Sequence, residues 1–269
     1  MTATTHDLTL GEHEVVKTFR SWDRDEPGRE WSGLGLLHRY TEGLAPEPLA
    51  RREIDGRPVV VMSRLSGSPL GGESLSSGQV AAVAGAVTRL HTAVPSAELS
   101  RLPTRLWGAA EAVEGLGEVY AAGVRPLGEC EVDVAVREAE RWLASDEAGR
   151  LAVQADQVFA QADGNLANFL WDGQGCRLVD FEDSGVSDRA YEVADLVEHV
   201  SVWLAGVMDA EELISQLDLE HGQRIRLHRM RRLFATFWLY MLLPGSPAHH
   251  RNPPGSVERQ AERVLGLMG

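Results

Sequence analysis

The sequence is poor in cysteine: Cys130 and Cys176 are its only two, far apart and without CxxC spacing. This excludes a disulfide framework and a thiolate zinc site, and it suits a reducing, cytoplasmic compartment. Positive charge is also scarce. Against 40 Asp and Glu stand 26 Lys and Arg, for a formal net charge of -14. Such a surface repels nucleic acid and anionic membranes and favours cationic small molecules at an acidic site. No long hydrophobic run is present. The strongest, Leu233 to Leu243, is about half of what a bilayer-spanning helix requires and reads as a buried helix. Met1 to Glu14 is polar and acidic, with neither a basic n-region nor an apolar h-region, so a secretory signal peptide is not expected. Repeats and low-complexity tracts are absent. What is there is 43% hydrophobic residues in 269, enough for a core in one large domain or two small lobes.

Two patterns divide the chain. Glu14 to Phe19 and Pro58 to Ser63 are short β-branched or apolar runs bounded by turn residues, and Asp7 to Leu10 is a further short strand before a turn at Gly11. Between them, Trp31, Leu34, Leu36 and Leu37 give Glu30 to Tyr40 a largely helical spacing. The first sixty residues thus read as a small α+β lobe, and the Gly- and Pro-rich Leu65 to Gly72 as a linker. Beyond it helices dominate. Ser77 is the expected N-cap of a helix carrying Val80, Val83, Val87 and Leu90, and Val132 to Ala144, Tyr191 to Leu204, Glu211 to Leu217, Arg224 to Leu243 and Val257 to Met268 are helical in period. One stretch breaks the pattern: Val158 to Ala160, Phe169 to Trp171 and Arg177 to Val179 are strand-like, the last two joined by Asp172-Gly173-Gln174-Gly175 as a hairpin.

The chemistry-bearing residues cluster around that hairpin, in Gln161 to Leu196. Asp163 and Asn168 lie on the loop that enters it and Asp180 on the strand that leaves it, so a tight turn brings the three together. A carboxylate and a carboxamide oxygen are hard ligands suited to the Mg²⁺ of a nucleotide, which keeps water and phosphates as its other ligands. A carboxylate beside an incoming hydroxyl can accept its proton while a metal neutralises the transferred phosphoryl group. No GxSxG elbow supports a nucleophilic serine.

This stretch resembles the HGDxxxxN, then hydrophobic-D-W/F-E-D motif of aminoglycoside phosphotransferases and their choline, fructosamine and macrolide kinase relatives, through Asp163, Asn168, Asp180 and Phe181-Glu182-Asp183. The resemblance covers roughly residues 14 to 245. It implies a two-lobed α+β protein kinase-like fold: a small, N-terminally shortened mixed lobe over residues 1–64 that binds nucleotide, and a mainly helical lobe over 65–269 with the catalytic loop and the acceptor site. It makes Asp163 the catalytic base and Asn168 and Asp180 the Mg²⁺ ligands, with Asp188 and Asp195 at an acidic helix start beyond. It also implies that Lys17, in Val15-Val16-Lys17, positions the α and β phosphates of ATP or GTP and that Glu30 orients it. Ser63 and Leu65, in a segment like the family's strand-to-hinge connection, would hydrogen-bond the purine. Leu90-His91 resembles the family's Leu-His at a helix end, and His91 reads as structural.

The family's His and Gly before the catalytic loop are Gln161 and Ala162 here, and no GxGxxG precedes Lys17. Gln retains a donor and an acceptor with which to replace the His. The expected activity is transfer of a γ-phosphoryl group to a hydroxyl. The acidity of Glu182 to Glu198, with Asp183, Asp188, Glu192, Asp195 and Glu198, points to a cationic acceptor such as an aminoglycoside or another basic antibiotic, and hence to antibiotic resistance. An amino-alcohol or sugar kinase is the metabolic alternative, and a catalytically weak ligand-binding pseudo-kinase the non-enzymatic one. Trp203, Trp238 and Tyr240 are either core or an aromatic surface for the cation. Arg224, Arg226, Arg229, Arg231 and Arg232 either pair with the many carboxylates or bind an anion. His221 and His228 share a helix face without a third ligand, and His249-His250 lacks zinc-ligand spacing.

Overall fold

A computed structural model describes residues 6–123, 130–246 and 248–269. Residues 1–5 of the expected small lobe and 124–129 of its helical successor lie outside them. In chain order the elements begin with β1 (Asp7–Leu10), β2 (Glu14–Thr18), α1 (Glu26–Tyr40), β3 (Pro48–Ile54), β4 (Arg57–Ser63), β5 (Ser68–Pro69), α2 (Ser77–Ala93) and α3 (Ser96–Leu99). Next come α4 (Ala109–Ala121), α5 (Glu131–Leu143), α6 (Asp146–Gly149), β6 (Gln157–Ala160), β7 (Phe169–Trp171), β8 (Cys176–Leu178) and β9 (Gly185–Asp188). The chain ends with α7 (Arg189–Glu198), α8 (Ala210–Ser215), α9 (His221–Leu242) and α10 (Ser256–Met268). Among the described residues no helix is long and apolar enough to cross a membrane.

Two compact units result, and neither is one continuous stretch: the first takes Met1–Leu106, Gln157–Ser187 and Glu211–Leu217, the second the remainder. In the first, β1, β2, β4 and β3 form an antiparallel sheet in that order. β4 lies between two strands and its Val59 to Met62 are all buried, which is why it reads as a continuous apolar run. Helix α1 starts four residues earlier than its apolar spacing suggests, because Pro27 sits in the first turn, where a missing N–H costs nothing. Helix α2 is capped one residue earlier than expected, by Ser76, which forms a capping box with Gln79.

The expected linker is stitched to the hairpin: β5 pairs with β7, and β7 with β8. Gly67 enables this close approach, since at its φ of 115° a Cβ would lie 2.8 Å from the Trp171 carbonyl oxygen. Strand β6 pairs with β9, a fully buried strand that sequence period did not reveal.

In the second unit α9 packs on α7, and α10 on α9 and α5. Helix α7 stops at Glu198 rather than reaching Leu204. His199 leaves helical geometry at ψ 141°, and its Nδ1 accepts the Ser201 amide N–H at 3.1 Å.

Candidate active site

Lys17 stands on β2 opposite Val60 of β4 and Leu8 of β1, and its side chain is buried. Its ammonium is shared by three carboxylates: Nζ lies 2.8 Å from Glu30 Oε2, 2.5 Å from Asp180 Oδ1 and 2.7 Å from Glu182 Oε2. Burial alone would discharge it, but Glu30, then Asp180 and Glu182, outweigh burial and hold the Lys17 pKa above the ordinary lysine value. One ammonium does not neutralise three carboxylates. Burial accordingly raises the Glu30 pKa, and burial with the neighbouring Asp180 charge lifts that of Glu182 to about 7. Glu30 also accepts the Phe181 amide N–H at 3.0 Å, so the helix that orients the lysine fixes the Asp180 loop as well.

The sequence assigned no role to two members of this cluster: Glu182, which belongs to the matched motif but was not placed at Lys17, and His6, which no motif singled out. His6 is buried and its Nδ1 accepts the Arg20 amide N–H at 3.1 Å, which leaves the proton on Nε2. That nitrogen faces Glu182 Oε2 at 2.7 Å, and burial, then Lys17, lower the His6 pKa. A different signal was available for the lysine: Lys17 is the only lysine among the chain's 26 basic residues. Every other basic side chain is a planar guanidinium, and the compact, strongly hydrated point charge occurs where three carboxylates converge.

The second half of the site is the loop between β6 and β7. The buried Gln161 donates from Nε2 to the Val179 carbonyl in a short hydrogen bond, tying this loop to the residue before Asp180. Its amide thus supplies the donor anticipated for it. Ala162 takes a left-handed φ of 74°, a conformation in which glycine is unstrained and alanine is not. The buried Arg105 holds it there, donating from its guanidinium to the Ala162 carbonyl at 2.9 Å. Asp163 Oδ1 accepts the Asn165 amide at 2.9 Å and its Oδ2 accepts Asn168 Nδ2 at 2.8 Å. Asn168 is oriented by this bond from its amide nitrogen, and its side-chain oxygen has no hydrogen-bond partner among the described residues. The Val179 amide donates to the Asn168 backbone carbonyl at 3.1 Å, which sets Asn168 beside the Asp180 strand. Asp180 itself is strained, at φ 69°. Left-handed non-glycine residues at both ends of one site are the kind of strain that function retains.

Glu30, Asp180 and Glu182 offer ligand oxygens within 4.8 Å of one another, but Lys17 Nζ contacts all three, so this trio is a lysine cage. The donors that fit Mg²⁺ are the Asn168 oxygen and the half-exposed Asp180 carboxylate, hard and few in number.

At the end of β4, Ser63 already bonds Glu47, its amide donating to the Glu47 carbonyl at 2.9 Å. The Leu65 backbone N–H and C=O have no hydrogen-bond partner among the described residues. The acidity of residues 182–198 is smaller than the residue count implies. Asp188 is buried as the α7 N-cap and pairs with Arg226 at 2.8 Å, and the buried Glu198 pairs with Arg231 at 2.7 Å and Arg263 at 2.6 Å. Trp203 is likewise engaged, donating to Gln260 at 2.7 Å beneath the Arg263 guanidinium. Trp238 packs against His199 and Phe237, and Tyr240 near Tyr120.

An antiparallel-sheet lobe and a helical lobe, with these residues gathered around the hairpin, define a two-lobed α+β protein of the kinase-like fold. The chain belongs to the phosphotransferase enzyme family, whose model matches residues 34–228. Three solved structures illustrate the likeness in fold. A choline/ethanolamine kinase family protein from Mesorhizobium loti superposes with a TM-score of 0.63 at 17% identity, over 100% of this chain and 86% of that one. Choline kinase LicA from Streptococcus pneumoniae gives 0.58 at 18% identity, over 100% and 91%. Aminoglycoside phosphotransferase APH(3'')-Id from Streptomyces rimosus, in complex with ADP and streptomycin, gives 0.54 at 16% identity, over 86% and 94%. No curated protein sequence matches.

Proposed function

We propose that the protein transfers the γ-phosphoryl group of ATP or GTP to a hydroxyl of a small cationic molecule, with Mg²⁺ as cofactor. The observation that carries this reading is the buried Lys17–Glu30 pair, 2.8 Å apart, meeting the Asp180 loop whose neighbour is Asp163–Asn168. Lys17 binds the α and β phosphates as a point charge and Glu30 keeps it in place. Phosphate oxygens would compete with Asp180 for the ammonium, which would leave the Asp180 carboxylate available as a ligand. Asn168 and Asp180 would hold Mg²⁺, which would supply positive charge to offset that of the phosphates. Asp163, fixed at both oxygens, accepts the acceptor hydroxyl's proton as the oxygen attacks phosphorus and the bond to the β-phosphate oxygen breaks. Leu65, with Ser63 beside it, hydrogen-bonds the purine through the backbone. Residues 1–64 would then form the nucleotide-binding lobe and 65–269 the lobe with catalytic loop and acceptor.

The preference for a cation rests on the net charge of -14, and on streptomycin and choline, named for the structural neighbours, being cationic hydroxyl compounds. The experiment is turnover of ATP and GTP with basic antibiotics and amino alcohols, in wild type and Asp163→Asn. A loss of about 10²- to 10⁴-fold in kcat, with an unchanged nucleotide-induced rise in melting temperature, is expected. Undiminished turnover in the variant would remove Asp163 as base. No melting shift with Mg²⁺ and either nucleotide would remove the reading as a whole.

A further inference from the structure

Helix α9 carries a basic face that phosphoryl transfer does not use. His221, Arg224, His228 and Arg232 recur every three or four residues and so share one side of the helix, and Arg229 flanks them. With Glu147 of α6 they line a groove of about 500 Å³. The opposite face of α9, with Leu227, Met230, Leu233 and Phe234, is buried, so the helix is anchored while its basic side stays open.

The cations in this groove are organised by more than a surface charge run. Glu147 Oε1 receives Arg229 at 3.3 Å and Arg232 at 3.1 Å, and Arg232 Nε also donates to the Leu267 carbonyl at 2.7 Å. Arg224 Nε donates to the Leu219 carbonyl at 3.1 Å, and its two terminal nitrogens have no partner among the described residues. Three guanidinium groups against one carboxylate leave an excess of positive charge with the side chains already held. Little rotamer entropy remains to be lost on binding. Arg226 and Arg231, the other two of the run, point elsewhere and are neutralised by Asp188 and Glu198.

We propose that this groove is a second binding site, for a small phosphorylated anion, sharing no residue with the candidate active site. Guanidinium forks match phosphate oxygens in geometry, and 500 Å³ holds a ligand the size of a sugar phosphate or nucleotide. Extended polyanions are disfavoured: beyond the groove, the chain's -14 charge repels nucleic acid and anionic membrane, whereas a compact anion meets only the basic walls.

The two histidines in the groove and His6 at the Lys17 cluster make the test local. Pyrophosphate is titrated at about 0.15 M salt, where surface attraction is screened, and the imidazole nuclear magnetic resonance signals of His221, His228 and His6 are followed. Saturable shifts of His221 and His228 are expected, weakened about tenfold in Arg224→Glu, whose melting temperature and phosphotransferase turnover match wild type. Shifts confined to His6, no saturation below about 10 mM, or equal affinity in Arg224→Glu would overturn the site. Failure of the phosphotransferase reading appears instead in turnover and leaves the His221 and His228 signals unaffected.

Discussion

Lys17→Met removes the ammonium from a buried cluster of three carboxylates and keeps the length of the side chain. At 2.8 Å from Glu30, with an effective dielectric constant of 20, the lost attraction is about 6 kcal/mol before desolvation is counted. Taking one partner from a buried pair costs about 3–5 kcal/mol net, and Asp180, 38% exposed, adds little after solvent screening. A fall in melting temperature of roughly 10 °C follows. The deficit must depend on pH. Without Lys17 the Glu30 and Glu182 pKa values, already raised by burial, rise further, so both carboxyls bind protons on folding. A carboxyl whose folded pKa is raised gives its full stability below the unfolded value near 4.5 and loses it as pH climbs through the folded value, about 7 for wild-type Glu182. The variant is therefore most defective at pH 8 and substantially rescued at pH 5.5. Urea unfolding of both proteins at the two pH values measures this. An equal deficit at both, or one under about 1 kcal/mol at pH 8, refutes the view that Lys17 is the charge balancing this cluster.

Other perturbations test the scaffold. Ala162→Gly relieves a left-handed alanine and, after the entropy glycine adds to the unfolded chain, should leave stability unchanged or raised by up to about 1 kcal/mol in urea unfolding. Gly67→Ala forces a Cβ to 2.8 Å from the Trp171 oxygen at φ 115° and should lower stability by about 1–3 kcal/mol. Glu198→Ala leaves Arg231 and Arg263 without their shared carboxylate in the core of the helical unit, at a cost of about 3–5 kcal/mol by the same measurement.

The sequence by itself determined the strands at β2 and β4, the β7–β8 hairpin and most of the helices, because turn residues and a 2.0 or 3.6 period are local properties. It also determined the neighbourhood of Asp163, Asn168 and Asp180, because a hairpin closes that loop within twenty residues. Helix ends were less readable: a capping serine at 76 or a turn at His199 depends on a few local hydrogen bonds involving side chains. Tertiary structure alone decided how charge is shared. His6, Lys17, Glu30 and Glu182 come from four separate segments; the family resemblance implied only the Lys17–Glu30 pair, and no spacing rule sets Glu182 within 3 Å of both Lys17 and His6. The same holds for the acidic and basic runs near the C-terminus. In sequence they read as an acidic patch and an arginine cluster, but folding pairs Asp188 with Arg226 and Glu198 with Arg231, and leaves Arg224 open. Which charges survive on the surface is a matter of which buried ones must find partners, since an unpaired ion in a protein interior costs several kcal/mol.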